Sequence, residues 1–309
     1  MYRIIRKEQL STVITLFEVE APLLARAAKP GQFLIVRALK DSERIPLTVC
    51  DFNPEKGSVT IVIQTIGASS KELCALEQGD CVCDVVGPLG RPSDFMEQPV
   101  EEVRGKSFVF LAGGLGTAPV YPQAKYLHSI GAKVDVILGA KTESLVILEK
   151  EMAGVCDNLY ICTDDGSKGF KGLVTGKLEE LMAQGRHYDT AVAIGPMIMM
   201  KFATLSARKF NLPIIVSMNT LMVDGTGMCG ACRLTVDGQT RFACVDGPEF
   251  DGYKVDFDGA MRRLGIYREA EIKANEAYTS GEWNSTATSD AAKNCEPEKD
   301  HKCKIGLGK

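Results

Sequence analysis

A small antiparallel β-barrel, then a doubly wound α/β sheet, then a short cysteine-rich segment: this is the fold class the sequence predicts, and three observations carry it. Up to about residue 100, short strand-like runs alternate with turn residues. After Pro99 the pattern changes to apolar runs separated by helix-length segments, as in a parallel sheet buried on both faces. Beyond that sheet, Cys229, Cys232 and Cys244 fall within sixteen residues.

In the first part, residues 12–20, 32–37, 47–50, 58–64 and 81–86 read as strands, and short strands at this regular spacing favour a barrel. In the second, residues 107–112, 134–138, 158–162, 190–194 and 212–217 are the apolar runs. The expected units are 1–100, 101–217 and 218–259, with a partner-contacting or flexible tail over 260–309 that turns polar and loosely structured from about Arg268.

Composition excludes several classes. With 309 residues, 45% hydrophobic and 25% charged, the chain is long enough for two domains and an appendage. A net charge of -4 with mixed signs gives no nucleic-acid footprint. No stretch approaches the length of a membrane span, and the first residues run straight into strand-like alternation without an apolar leader, so a cytoplasmic location is expected. Eleven scattered cysteines fit a reducing compartment. His128, His187 and His301 stand alone, with no Ser-His-Asp set or paired carboxylates near them, so chemistry is expected to rest on cofactors.

The cysteine spacing brings three soft thiolates to one point, which suits iron or zinc. Either needs four ligands, and no fourth cysteine lies in the run; the nearest upstream candidate is Asp224, five residues before Cys229. Gly225, Gly227 and Gly230 let the loop fold tightly enough to aim backbone N–H groups at cluster sulfurs. Zinc is the weaker choice, because its structural sites usually come as two C-x-x-C pairs and only one is present. The competing reading is small, buried, unliganded thiols.

Gly113-Gly114-Leu-Gly116-Thr117-Ala-Pro119 directly follows the strand ending at Ala112 and opens an expected helix over 120–130. Bare N–H groups and a helix N-terminus are what a pyrophosphate needs, although the run is not the usual G-x-G-x-x-G. Gly195-Pro196 ends a later strand, where a glycine lets a nicotinamide ring approach the backbone. Asp164 and Asp165 follow another strand; two carboxylates there accept bonds from a ribose and repel a 2'-phosphate, favouring NAD(H) over NADP(H), while Lys141 and Lys168 remain phosphate partners. A solvated acidic turn is the equal alternative for that pair. In the first part, Arg44-Ile-Pro46-Leu47-Thr48 joins a guanidinium able to hold a flavin pyrophosphate to a hydroxyl on the same strand face, able to reach an isoalloxazine edge. Gly67, Ser69 and Ser70 offer donors to the same diphosphate at the start of a helix over 71–76.

The order of these motifs resembles the ferredoxin-NADP reductase superfamily, over nearly everything from Tyr2 to Gly259. The added segment, with Cys-Gly-x-Cys, a third cysteine and Asp246-Gly-Pro-Glu-Phe-Asp-Gly252, resembles the electron-transfer subunit of dihydroorotate dehydrogenase B. In that subunit four cysteines bind the cluster, and the first falls where Asp224 stands. An aspartate there is similar to the small subunit of the NADH-dependent reduced ferredoxin:NADP oxidoreductase, a flavin-based bifurcating transhydrogenase; the same subunit type has been described as a sulfide dehydrogenase chain.

The resemblance implies a β-barrel flavin domain, an α/β nucleotide-binding domain and a small C-terminal [2Fe-2S] segment. Arg44, Pro46, Leu47 and Thr48 would hold FAD, with Thr48 beside the flavin N5, and Gly67, Ser69 and Ser70 its diphosphate. Gly113, Gly114, Gly116, Thr117, Pro119, Asp164, Asp165, Gly195 and Pro196 would form the NAD(H) site; Asp224, Cys229, Cys232 and Cys244 would hold the cluster. The implied partner is a large flavin and [4Fe-4S] subunit in a heterodimer or higher assembly, with ferredoxin reached through it. Cys295, His301 and Cys303 match no part of the pattern, and unliganded thiols are favoured there over a metal site.

Overall fold

The computed structural model describes residues 1–283. Seven strands form the first sheet: β1 (Tyr2–Ser11), β2 (Ile14–Glu20), β3 (Phe33–Arg37), β4 (Arg44–Asn53), β5 (Ser58–Gln64), β6 (Cys81–Val82) and β7 (Asp84–Leu89). They run antiparallel in the order β6-β1-β2-β5-β4-β3-β7. The two end strands are separated in the chain by Cys83 alone, so the sheet curls into the expected, nearly closed barrel. Strand β4 starts three residues earlier than its apolar run, because pairing with β3 carries the ladder out to Arg37 opposite Arg44.

Strand β3 explains its unbroken apolar sequence, Phe-Leu-Ile-Val, by burying both faces. Leu34 and Val36 point into the barrel core with Phe17 and Ile61. Phe33 and Ile35 point outward into a second core that holds Val109, Leu111 and Met218 of the next sheet together with Cys232 and Cys244.

That second sheet contains β8 (Ser107–Gly113), β9 (Lys133–Ala140), β10 (Asn158–Thr163), β11 (Phe170–Lys171), β12 (Thr190–Ile194) and β13 (Ile214–Ser217). The chain builds outward from β8 through β9 and β10 to β11, then returns to place β12 and β13 on the other side of β8. All these pairings are parallel, so the order reverses between β8 and β12, and the crevice at their carboxyl ends is where open α/β sheets take ligands. The following segment adds a hairpin, β14 (Arg233–Val236) and β15 (Gln239–Phe242), and then β16 (Glu249–Asp251), which joins the sheet edge antiparallel to β13. The cysteine segment is thus sewn into the α/β sheet. Helix Phe257–Leu264 fastens it further, with Asp258 accepting from Lys201 Nζ at 2.7 Å.

Two helices differ from expectation. Helix Thr117–Ser129 begins at Thr117, whose hydroxyl donates to the Gly114 carbonyl at 2.9 Å, and Pro119 sits in the first turn where no N–H is required. Residues Arg268–Ser280 form a helix where a loosely structured tail was expected; the run is rich in Ala and Glu, closes on Gly281 at φ 79, and docks on helix Ala68–Cys74 through Lys71 Nζ to Asn275 Oδ1 at 2.7 Å. Cys295, His301 and Cys303 lie outside the described residues. Among the described residues no helix is long and apolar enough to cross a membrane.

One buried polar knot joins all three parts. The Glu249 Oε1 atom on β16 accepts from Ser93 Oγ, in the barrel exit, at 3.0 Å and from Gln123 Nε2, on the helix after β8, at 2.8 Å. Burial pushes its carboxyl up to about 7, with the nearby Asp94 carboxylate adding to the rise.

Candidate functional site

A cleft of about 970 Å³ lies between the barrel wall and the carboxyl ends of the second sheet. Among the residues singled out from sequence, Pro46, Leu47, Thr48, Gly113, Gly114, Gly116, Pro119, Asp164, Gly195 and Pro196 line it. Arg44, Gly67, Ser69, Ser70, Thr117 and Asp165 do not. Arg44 pairs with Asp84 at 3.3 Å, while Arg37 holds the same carboxylate oxygen at 2.6 Å. Ser69 donates to Glu43. The Ser70 hydroxyl accepts from the N–H groups of Ile66 and Gly67 at 2.9 and 3.0 Å, so it caps its own helix.

The acidic turn divides in two. Asp164 faces the cleft, whereas Asp165 Oδ1 accepts from the Ser167 N–H and hydroxyl at 3.0 and 2.7 Å, bonds that hold its carboxyl below the usual range. Lys141 also lines the cleft, while Lys168 is committed to Glu149 at 2.6 Å.

The glycines divide as well. The β8–β12 register sets Ile194 beside Ala112 and so brings Gly195 level with Gly113. A Cβ on Gly195 would stand 3.0 Å from the Gly113 Cα, and one on Gly116 would stand 2.6 Å from the Ile194 carbonyl carbon and closer still to its oxygen. A Cβ on Gly113 would clash with the Met199 sulfur and press on the Pro196 ring, so close packing disfavours a side chain at all three positions. Gly114 differs: its φ is +55 and nothing lies within 4 Å of where its Cβ would be, so it leaves bare backbone facing open space at the helix start.

Sequence reasoning did not find two further walls of the cleft. One is the first turns of helix Met197–Lys209, where Ile198 and Phe202 are 48% and 52% exposed toward the opening. Their four-residue spacing was the available signal, since Met197, Met200 and Ala203 already supply the buried face. The other is the loop after β13, with Asn219, Thr220 and Met222. Thr220 Oγ1 is buried and has no hydrogen-bond partner among the described residues.

The cysteine loop rests on the outer face of the barrel. A Cβ on Gly225 would meet Leu89 at 2.7 Å and Ile35 at 2.9 Å, and Gly225, Gly227 and Gly230 all take positive φ, at 75, 86 and 67. Its four candidate ligands form two pairs. Cys232 and Cys244 are buried with their sulfurs 3.2 Å apart, and burial pushes the Cys244 thiol up to about 12. Cys229 is exposed; its N–H donates to Asp224 Oδ2 at 2.9 Å, and the Thr226 N–H donates to Oδ1 at 2.9 Å, holding the Asp224 carboxyl down. No group of three or more His, Cys, Asp or Glu among the described residues stands in ready-made metal geometry. The donor chemistry nevertheless fits an iron-sulfur group: three soft sulfurs and one oxygen on a glycine loop, with the Ala231 N–H already donating to Cys229 Sγ at 3.5 Å.

Residues 219–256 match the family model of the iron-sulfur cluster binding domain of dihydroorotate dehydrogenase B. The chain is 45% identical over 281 residues to a Thermotoga maritima homologue of the dihydroorotate dehydrogenase B (NAD(+)) electron transfer subunit, covering 90% of this chain and 96% of that one. It is 51% identical over 286 residues, 92% of this chain and 97% of that one, to a Clostridium beijerinckii protein from the adh 3' region. Among solved structures, that of the NADH-dependent reduced ferredoxin-NADP oxidoreductase, described for insight into flavin-based electron bifurcation, superposes with a TM-score of 0.82 at 42% identity, covering 90% of this chain and 98% of that one. More distant ferredoxin reductases share the fold alone.

Proposed function

The chain belongs to the family of dihydroorotate dehydrogenase B electron-transfer subunits and their homologues, and on that premise we propose that it moves hydride between NAD(H) and FAD and passes single electrons through a [2Fe-2S] cluster to a larger partner subunit. One observation carries the reading. A single cleft unites the Pro46–Thr48 stretch of β4 with the glycine turn of β8 and with Gly195, and its wall β3 leads directly to the cysteine loop. Phe33 lines the cleft, and Ile35, two residues or roughly 7 Å along the strand, meets Gly225. Nicotinamide moves two electrons together and iron-sulfur centres take one, and a flavin supplies the conversion between them.

In this proposal Thr48 faces the flavin ring, and Arg44, Gly67, Ser69 and Ser70 lie toward its diphosphate. Gly114 and the following helix start receive the dinucleotide pyrophosphate, and Asp164 receives a ribose. Asp224, Cys229, Cys232 and Cys244 are the cluster ligands. The labour is divided among residues 1–100, 101–217 and 218–259. Within the family, Asp224 in place of the expected cysteine and the 42% identity to the NADH-dependent reduced ferredoxin-NADP oxidoreductase structure favour the small subunit of an electron-bifurcating transhydrogenase over a dihydroorotate dehydrogenase or sulfide dehydrogenase subunit. The partner is then a large subunit with its own flavin and [4Fe-4S] clusters.

Anaerobic purification tests the reading: flavin and iron-sulfur absorbance, acid-labile sulfide and a larger copurifying polypeptide are expected. A colourless chain with stoichiometric zinc would make it a scaffold instead. Arg44→Ala is expected to raise the FAD dissociation constant about tenfold, the loss of one charge-assisted contact, measured by titrating apoprotein. The fold should not suffer, since Arg37 keeps Asp84 paired. Asp224→Cys should retain a cluster but move its midpoint potential and EPR signal, because the ligand set changes while the loop persists; an unchanged signal removes Asp224 from the ligand set.

A further inference from the structure

Thr220 occupies a position the proposed function does not yet use. Its Oγ1 lies buried without a donor or acceptor among the described residues, a state that costs roughly 1–3 kcal/mol if nothing fills it. Other buried side-chain atoms without partners belong to Arg37, Glu72 and Gln123, and among these residues Thr220 alone lines the cleft. The surroundings define what completes it. Phe33, Met222 and Pro248 line the same cleft, as do the polar neighbours Ser217 and Asn219, so the hydroxyl stands in a wall that mixes apolar and polar side chains. An unpaired hydroxyl that both donates and accepts, in a cleft with apolar side chains beside polar ones, suits the polar rim of a heteroaromatic ring.

Two such rings enter in the proposed function, and the geometry favours the flavin. Phe33 stands opposite Thr48 in the β3–β4 register, and both line the cleft that Thr220 also lines. Thr220 also lies on the loop joining β13 to the cysteine loop, four residues before Asp224. We infer that Thr220 is a flavin-contacting residue, its hydroxyl hydrogen-bonded to the polar edge of the isoalloxazine on the side that leads to the cysteine loop. The inference rests on the reading of the cleft as a flavin site and adds a contact from the nucleotide sheet to those of the barrel.

Thr220→Val keeps the side-chain shape and removes the hydroxyl, and Thr220→Ser restores it. The Val variant is expected to bind FAD about five- to tenfold more weakly in titrations of apoprotein and to shift the flavin midpoint potential. The Ser variant should stay within about twofold of wild type, and the NADH dissociation constant should hardly change. Without flavin the Val variant should melt no lower than wild type, because the hydroxyl has no partner among the described residues to lose. An apoprotein that loses stability, or a flavin affinity and potential equal to wild type, overturns the contact while leaving the function standing. An effect confined to NADH assigns the hydroxyl to the other ring and overturns it too. Failure of the wild type to take up flavin overturns function and contact together.

Discussion

Gly116→Ala is expected to cost on the order of 3–5 kcal/mol, enough to unfold much of the chain at room temperature. The backbone conformation is not the reason, since Gly116 sits at φ -60 and ψ -13, which alanine adopts freely. The reason is steric: the new Cβ would lie 2.6 Å from the Ile194 carbonyl carbon, and that group is the end of β12, paired to β8 and unable to swing aside. Relief requires prising apart the two strands that flank the crevice. Gly114→Ala is the contrast, with open space around the new methyl and only a left-handed φ of +55 to bear, for about 1 kcal/mol. Urea unfolding of the two variants measures both. Equal stabilities would mean that the strand ends are not in contact.

Glu249→Gln should stabilise the protein at pH 8 and leave it unchanged near pH 4, a change with pH worth up to about 3 kcal/mol. The folded-state carboxyl titrates at about 7, raised from 4.5 by burial, so the folded chain holds its proton more tightly than the unfolded chain. The stability this confers is present below about pH 4.5 and is lost as pH rises through 7. Above that, wild type keeps a charge enclosed among Ser93, Gln123 and β16, whereas glutamine presents a neutral carbonyl to the same two donors. Melting curves from pH 4 to 8 should diverge steadily upward. A variant less stable than wild type at pH 8 would mean that the ionised carboxylate has a cation nearby.

The strands were legible because their signals are local: alternation and turn spacing mark the barrel, and unbroken apolar runs mark the parallel sheet. The cysteine loop was legible for the same reason. Gly113, Gly116 and Gly195, named from the sequence, line the cleft, but their close packing is a second role that spacing does not show. Nothing in Gly113-Gly-Leu-Gly distinguishes a phosphate turn from a close backbone approach until it is known that Ile194 lies across from it. Ser70, Thr117 and Asp165 carry the residue types of a binding site yet spend their side chains on nearby groups, which spacing does not reveal. Thr220, Phe202 and Glu249 were missed because each acquires its role from elements more than 100 residues away. The terminal helix was obscured by the polar residues that follow it, although its own Ala and Glu content favours helix.

The two-sided burial of β3 also limits how this chain can diverge. Barrel strands ordinarily tolerate any polar residue on their outer face, so drift there is cheap. Here positions 33 and 35 lie against the sheet and the cysteine loop, and a hydrophilic replacement at either would be selected against even though it left the barrel interior intact. A descendant that discarded the loop would expose that apolar pair to water, and would have to recode both residues to remain free of self-association.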